Sequence, residues 1–560
     1  MSRPTRRDFL TTTTGAIAGL ALGAQRAKAF GVDRSSRAVI FGSGRASDLA
    51  VAPLPDAAIM RRLASAAIEA AHAAGATYAD VRVAERQQLN VDLDMNFDAM
   101  LVLHFSYGIR VLVDGQWTFT HGTAPNVDAI ARAATNAVAT ARGEARAVHA
   151  SDTTSAEMAP APVATGEWTT PMRIDPFTVS IEEQLALLSA IAGAAGRPLG
   201  SISGFYPPWG GNNFHWIRET RVFASSEGAL TTQSLYQGRH GVVGMNDRGT
   251  GAARVYVPVP LARSGGYETV LIPDLQDRAK AASEEALRLA HLPLGTIDVG
   301  RYPVVFDGYT FGALMTSTLS PALELDRALG YEADASGTSF LTPGDVLGEQ
   351  LFPAALSMTA DRSVPTLQAV KWDDEGVTPE PYPLIQNGRV VDFHTSRQTA
   401  PALREWYTKR GLPLKSHGCA VSPKADDPVT VRGPHISIVP STNRASLDDL
   451  CKDVSHGLLV RQAPYIATDQ QLSSGSVDWA DMFVIDRGKP VRRIDIFKTG
   501  AEFSTRGLLK SLGALGDETT LRTADAQVFK GQPWVFHPGS ATAPAALFKE
   551  INVVSTGRVL

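Results

Sequence analysis

The chain has 560 residues, 44% of them hydrophobic and 20% charged, with a formal net charge of -4. That length asks for about two to four domains, and the composition fits a folded soluble protein rather than a disordered or membrane-embedded one. Without residues 1–29 the balance is 48 basic and 56 acidic residues, a mildly acidic body with no electrostatic footprint for nucleic acid.

Thr5-Arg6-Arg7-Asp8-Phe9-Leu10 has the form of a twin-arginine export motif. A modestly apolar run follows over 11–24, and Ala27-Lys28-Ala29 has the small-x-small form of a signal-peptidase site. Residues 1–29 are therefore expected to be a signal peptide, cleaved between Ala29 and Phe30, with a periplasmic or other extracytoplasmic destination. The apolar run is shorter than the roughly 20 residues a spanning helix needs, and no later run is long enough, so no membrane span is expected.

Residues 30–52 are rich in Gly, Ser and Arg and read as a flexible leader. An Ala-rich helix is predicted over 55–76, ended by Gly75, then an extended segment over 78–93 that alternates Val81 and Val83, later Val91 and Leu93. Residues 109–120 read as a hairpin turned at Asp114-Gly115, a favoured type I′ pair. A helix over 127–142 follows. Residues 143–175 lack periodicity and read as a linker or long excursion. A helix over 180–196, strands over 221–237 and a helix over 275–291 complete an α+β first domain, taken as 53–295, with a hinge over 292–300. A short buried strand is expected over 302–306. Past Phe340 the pattern is mostly β, including a second hairpin over 383–391 turned at Asn387-Gly388. Residues 296–560 form the β-rich second domain.

One stretch carries more than secondary structure. Residues 316–340 read TSTLSPALELDRALGYEADASGTSF, and the run from Leu325 to Glu332, with Gly337-Thr338-Ser339-Phe340, resembles the signature that follows the zinc helix of the TldD/PmbA metallopeptidases. Weaker landmarks occur in family order. They are Tyr78 to Arg82, Ser106-Tyr107-Gly108-Ile109-Arg110, Phe223 to Gly228, Gly265-Gly266-Tyr267-Glu268, Asp373-Asp374-Glu375-Gly376-Val377, Lys530-Gly531-Gln532-Pro533, and the closing run Ala546 to Val553. The resemblance covers the chain from about Asp56 onward. It implies a two-domain α+β architecture, a dimer enclosing a cavity, and peptides as substrates.

The same resemblance implies a zinc site that this chain does not carry. Metal-bearing members hold an HExxxH motif just upstream of the ELDR run. Counting back, its two His positions fall on Thr316 and Pro321 and its Glu on Ser317, while the third ligand, a Cys, falls on Val528. Zinc takes imidazole nitrogen, carboxylate oxygen or thiolate sulfur, and none of these side chains supplies one. No His anywhere is followed by Glu, so neither HExxH nor HExxxH occurs. Pro321 also removes a backbone donor, which is expected to bend the local helix. No cofactor is expected.

Other candidates are weaker. His417, Cys419, His435, Cys451 and His456 contain metal-binding atoms, yet their spacings match no compact template. Cys419 and Cys451 are the only cysteines, and whether they pair is open. No G-x-S-x-G elbow occurs; Gly200-Ser201-Ile202-Ser203-Gly204 is a near miss that reads as a turn. Asp373, Asp374 and Glu375 are expected as a solvated turn cap before Gly376. Asp326, Arg327 and an aromatic, Gly-rich loop with Tyr206 and Trp209 are the substrate-groove candidates. The function expected is that of a non-catalytic, zinc-ligand-free subunit of an exported peptidase complex, a homodimer or a heterodimer with a metal-bearing homologue. The alternatives are an active metallopeptidase with ligands elsewhere, and an exported peptide-binding protein.

Overall fold

A computed structural model describes residues 36–51, 53–93, 98–147, 157–195, 213–241, 243–246, 253–256, 262–463, 465–478, 480–495, 499–531 and 534–555. The fold is α+β and rests on three large sheets. The eight-stranded first sheet contains β1 (Arg37–Phe41), β2 (Tyr78–Asp92), β3 (Ala99–Val113), β4 (Gln116–Gly122), β5 (Thr165–Thr169), β6 (Asn213–Ser225), β7 (Leu230–Gly241) and the short strand Ala262–Ser264. Its path runs β1-β3-β2-β6-β7, with β4 on β3 and β5 on β7.

Alternation along these strands decides what each face meets. Val81 and Val83 of β2, Ile109 and Val111 of β3, and Val222 and Ala224 of β6 pack against two helices, α1 (Ala57–Ala73) and α2 (Val127–Ala147). The side chain of Asp56 caps α1 by accepting from Ile59 N–H, and Gly75 leaves it at φ +95°. Farther along, Leu89, Val91, Phe214 and Trp216 pack against α3 (Ile181–Ala194). The intervening residues, among them Arg82, Arg86, Arg110, Glu219, Arg221 and Gln233, point to the opposite face. They are polar, and Arg82, Arg110, Glu219, Arg221 and Gln233 are buried. That face is covered by the C-terminal half.

The C-terminal half holds a ten-stranded and a six-stranded sheet. In the former, Gly300–Phe306 lies between His456–Arg461 and Ala546–Ser555. In the latter, Val535–Ala543 pairs with Arg522–Lys530 on one side and His435–Ile438 on the other. The stretch expected as a hinge, 292–300, contributes Leu294–Gly295, which pairs in parallel with Lys489–Ile494. After α4 (Leu275–Ala290), helix α5 (Gly308–Ser317) lies on the Arg522–Lys530 and Val535–Ala543 pair. Gly308 permits that approach: a Cβ there would sit 2.4 Å from the Thr520 carbonyl oxygen and 2.5 Å from that of Ala543. The helix breaks at Thr318 (φ -122°, ψ -74°) before α6 (Leu319–Ala322) and α7 (Leu325–Ala328). Pro321, which lacks an N–H, falls inside α6, and the Thr318 hydroxyl donates back to the Leu314 carbonyl at 2.6 Å. The expected bend is present.

Three expectations need correction. The leader over 30–52 is not all flexible: β1 pairs antiparallel with β3, and Ala46–Asp48 forms a helical turn, because backbone pairing to a sheet edge needs no apolar period of its own. The stretch 143–175 is not all linker: β5 pairs in parallel with β7, and Ala159 N–H donates to the Arg397 carbonyl in the C-terminal half. The carboxylates of Asp373, Asp374 and Glu375 are not a solvated cap; all three residues are buried.

Candidate functional site

The positions on which the sequence resemblance places the zinc ligands are Thr316, Ser317, Pro321 and Val528. Thr316 is buried and its hydroxyl donates to the carbonyls of Gly312 and Ala313 at 3.2 and 3.0 Å. Ser317 is half-buried at the end of α5 and Pro321 is buried in α6. Val528 is half-buried in its strand, opposite His537. His537 is buried, its Nδ1 finds no partner among the described residues, and burial followed by the charges of Arg432 and Lys530 pulls its pKa down to about 3. One neutral imidazole beside two hydroxyls, a proline and a valine is not a zinc donor set. Among the described residues no group of three or more His, Cys, Asp or Glu side chains is arranged to hold a metal ion.

The ELDR run that follows is a buried ionic cluster. Lys530 donates to Glu324 Oε2 at 2.8 Å, to Asp326 Oδ1 at 2.7 Å and to the Val431 carbonyl. Arg432 donates to Glu324 Oε1 at 2.6 Å, and Asp326 Oδ2 accepts from Val431 N–H at 2.9 Å. Burial opposes the charge on Glu324, but Lys530 and then Arg432 outweigh it and hold the carboxyl well below its usual range. Arg327 turns away, donating to the carbonyls of Ser336, Thr338 and Gln470. Asp326 and Arg327, candidates for a substrate groove, are thus both buried.

Beside this cluster runs a second buried chain of polar groups. His394 Nε2 meets Ser320 Oγ at 3.2 Å and its Nδ1 meets the Tyr382 hydroxyl at 2.5 Å; that hydroxyl also meets Cys419 Sγ at 3.1 Å. The Tyr382 ring stacks on His417 at 3.9 Å, and His417 Nε2 meets Asp392 Oδ2 at 2.9 Å. Burial pulls His394 down to about 3 and pushes Cys419 up to about 12. A thiol so shifted is no nucleophile at neutral pH. The Ser–His pair lacks a carboxylate behind the imidazole, and Ser320 and His394 are both closed off from solvent. This is a satisfied polar core. Cys419 and Cys451 are both free and buried, packed in separate hydrophobic clusters. His435 donates to or accepts from Ser540 at 2.9 Å and His456 is exposed on a strand of the ten-stranded sheet, so the scattered His and Cys residues do not converge.

The third polar region joins the two halves. Arg221 of β6 pairs with Asp374 at 2.6 Å, and Arg110 of β3 bridges Asp80 at 2.6 Å and Glu375 at 2.9 Å. Asp373 instead ties its own loop, accepting from the N–H groups of Glu375, Val377 and Ala420. Gly108 lets β3 come close: a Cβ there would lie 2.2 Å from the Ala425 carbonyl oxygen. The arginines were missed as functional candidates, although a sheet face that alternates charge with fully apolar neighbours is the sequence signal for them. Tyr206, Trp209, Ser201 and Ser203 lie outside the described residues, as do Arg6, Arg7, Ala27 and Ala29.

Comparison with known proteins agrees with this architecture. Residues 299–555 match the PmbA/TldA metallopeptidase C-terminal domain. A protein described as a metalloprotease from Methanothermobacter thermautotrophicus is 25% identical over 261 residues, 46% of this chain and 52% of its own length. This chain therefore spans about half of that relative. Among solved structures, a protein described as a modulator of a DNA gyrase from Thermotoga maritima superposes with a TM-score of 0.62 at 15% identity, covering 88% of this chain and 99% of its own. TldE from Thermococcus kodakarensis superposes at 0.59 with 14% identity, covering 88% of this chain and 100% of its own. These structures share the fold. The ELDR cluster thus lies in the region that matches the PmbA/TldA metallopeptidase C-terminal domain, and the chain shares the fold of these TldE and gyrase-modulator structures.

Proposed function

We propose that this chain is a metal-free, non-catalytic member of the TldD/PmbA family that works outside the cytoplasm as a subunit beside a metal-bearing homologue. The observation that carries the reading is the donor chemistry at Thr316, Ser317, Pro321 and Val528. A catalytic zinc commonly needs three protein ligands and an activated water, and a base to manage its proton; these four side chains offer two hydroxyls and no imidazole, carboxylate or thiolate. The relative described as a metalloprotease supports peptide chemistry as the family setting. A chain of this kind contributes by what it binds. A division near residues 295 and 296 separates the half that carries the polar sheet face from the half that carries the ELDR cluster.

Sedimentation of the full chain, alone and mixed with an exported metal-bearing homologue, tests the reading. A stable complex is expected, with an interface of at least about 1,000 Å²; the Tyr206–Trp209 loop is its first candidate anchor. A monomer under both conditions contradicts the subunit role. For export, the double substitution Arg6→Lys and Arg7→Lys is expected to trap uncleaved protein in the cytoplasm, and normal export of that variant contradicts the route.

A further inference from the structure

The polar face of the first sheet does not meet the C-terminal half everywhere. A cavity of about 280 Å³ remains between β2, β6 and β7 on one side and the segments 362–374 and 420–423 on the other. Phe536 and Pro538 also line it. Side chains alternate along a strand, so these two point away from His537 and from Val528 opposite it. Helix α5 packs on that other face, with Gly312 against Ala524. The cavity and the positions of the expected metal motif thus lie on opposite faces of the six-stranded sheet.

The lining contains five arginines and three carboxylates, yet its charges balance. Arg86 and Arg221 pair with Glu219 and Asp374, and Arg432 with Glu324, each at 2.6 Å. Arg362 faces Asp373 and Arg239 faces Asp525. An ionic ligand would add a buried charge with no counter-charge left to meet it, the costly arrangement. What remains available is neutral and polar. Gln88 and Gln237 flank Ile217 in one cross-strand row, a strand to either side. Gln88 is half-buried, and its amide makes no hydrogen bond among the described residues. Gln237 commits its Nε2 to the Leu367 carbonyl at 2.7 Å, and its Oε1 accepts from no described group. Neither amide is sealed from solvent. Together they offer a donor and two acceptors. Aromatic surface adjoins them. Trp372 lines the cavity, and Phe536 lines it while 49% exposed, 4.3 Å from the ring of Phe529.

An occupant that fits is uncharged and carries groups that both donate and accept. It also has an apolar C–H face to set on an aromatic ring, whose face is the negative part of its quadrupole. Saccharide rings combine these three properties. We propose that this cavity binds a neutral mono- or disaccharide, with ring hydroxyls at Gln88 and Gln237 and a C–H face against Phe536. The cavity lies at the small end of ligand pockets, which begin at about 300 Å³, and that limits the occupant to this size. The proposal goes beyond the reading above and does not rest on it, because the sugar site and the expected metal motif are separated by the sheet.

Calorimetric titration of the full chain with glucose, galactose and N-acetylglucosamine, and with glucuronate and glucosamine as charged counterparts, tests it. At least one neutral sugar is expected to bind at one saturable site. Both charged sugars are expected to bind more weakly by about tenfold or more, a difference of about 1.4 kcal/mol. Gln88→Leu and Phe536→Ala are each expected to weaken the neutral sugar by a similar factor, while Trp534→Ala, outside the cavity lining, leaves its binding unchanged. If Gln88→Leu does not fold, Phe536→Ala alone decides. No binding of any of the three neutral sugars, a charged sugar binding as tightly as the neutral one, or undiminished binding by either folded variant each overturns the proposal. A loss in Trp534→Ala equal to that in Phe536→Ala puts the sugar on the exposed aromatic cluster and overturns it as well. Failure of the subunit reading registers separately, as a monomer beside the homologue, and leaves the titration outcome untouched.

Discussion

Two regions a few residues apart in sequence behave in opposite ways. The ELDR run keeps its charges: Glu324 and Asp326 are buried and each is tied to Lys530. The stretch just before it, with Thr316 and Pro321, and the strand position Val528 carry none of the groups that would hold a metal. The difference is physical. A member of a buried ionic cluster cannot be exchanged alone, because its partner is left charged and unpaired, at about 3–5 kcal/mol. A metal ligand can be exchanged without that penalty if its replacement fits locally, as the Thr316 hydroxyl does by donating to its own helix. The buried ionic cluster and the positions of the expected metal motif are therefore under different physical constraints.

The largest effect expected from breaking this comparison is at Lys530. Lys530→Met removes the ammonium that Glu324 and Asp326 share, leaving Arg432 on Glu324 and no ion-pair partner on Asp326 among the described residues, and is expected to lower stability by about 3–5 kcal/mol, read by urea unfolding. Val528→Thr, two residues earlier and half-buried, is expected to change it by less than about 1 kcal/mol. Similar losses at both positions would remove the distinction between cluster and ligand site.

The clamp between the halves comes next. Asp374→Asn removes the charge that Arg221 meets across the interface and is expected to cost about 2 kcal/mol. A double-mutant cycle with Arg221→Gln is expected to return a coupling of about 1–3 kcal/mol; additive effects would show that the pair is not a clamp.

The last effect is confined to acid pH. His537 is held at about 3 in the folded chain against an ordinary 6.5. Between those values the unfolded chain takes up a proton that the folded chain refuses, so this group lowers stability as pH falls from 6.5 toward 3. Its slope is about 1.4 kcal/mol per pH unit. His537→Phe is expected to flatten the acid limb of the stability curve by about that slope, and the ring nitrogen shifts of His537 are expected to stay those of a neutral imidazole at pH 5. A titration midpoint near 6.5 would place His537 in contact with water or an acid.

Local chemistry was legible in the sequence. The Asp114-Gly115 and Asn387-Gly388 turns have φ of 49° and 82°, and 48° and 78°, as a type I′ pair requires. Ser180 caps α3 by accepting from Glu183 N–H, and Pro321 sits just past the break in its helix. Long-range pairing was not legible. Strand β5 is a five-residue segment, TGEWT, with no alternation of its own, and it is defined by a parallel partner at Leu230 and beyond. Asp374 and Glu375 looked like a solvated turn because their arginines lie 153 and 265 residues away. Asp326 looked available to a substrate because the ammonium that covers it is 204 residues distant. In each case the local composition was polar and only the tertiary partner made it buried.

The central claim is that the chain retains the scaffold without the metal. Elemental analysis of the full chain, purified without chelator and assayed in parallel for peptide cleavage, tests it most directly. The account predicts zinc far below one equivalent per chain and no cleavage that a chelator abolishes; near-equimolar zinc with chelator-sensitive proteolysis would contradict it.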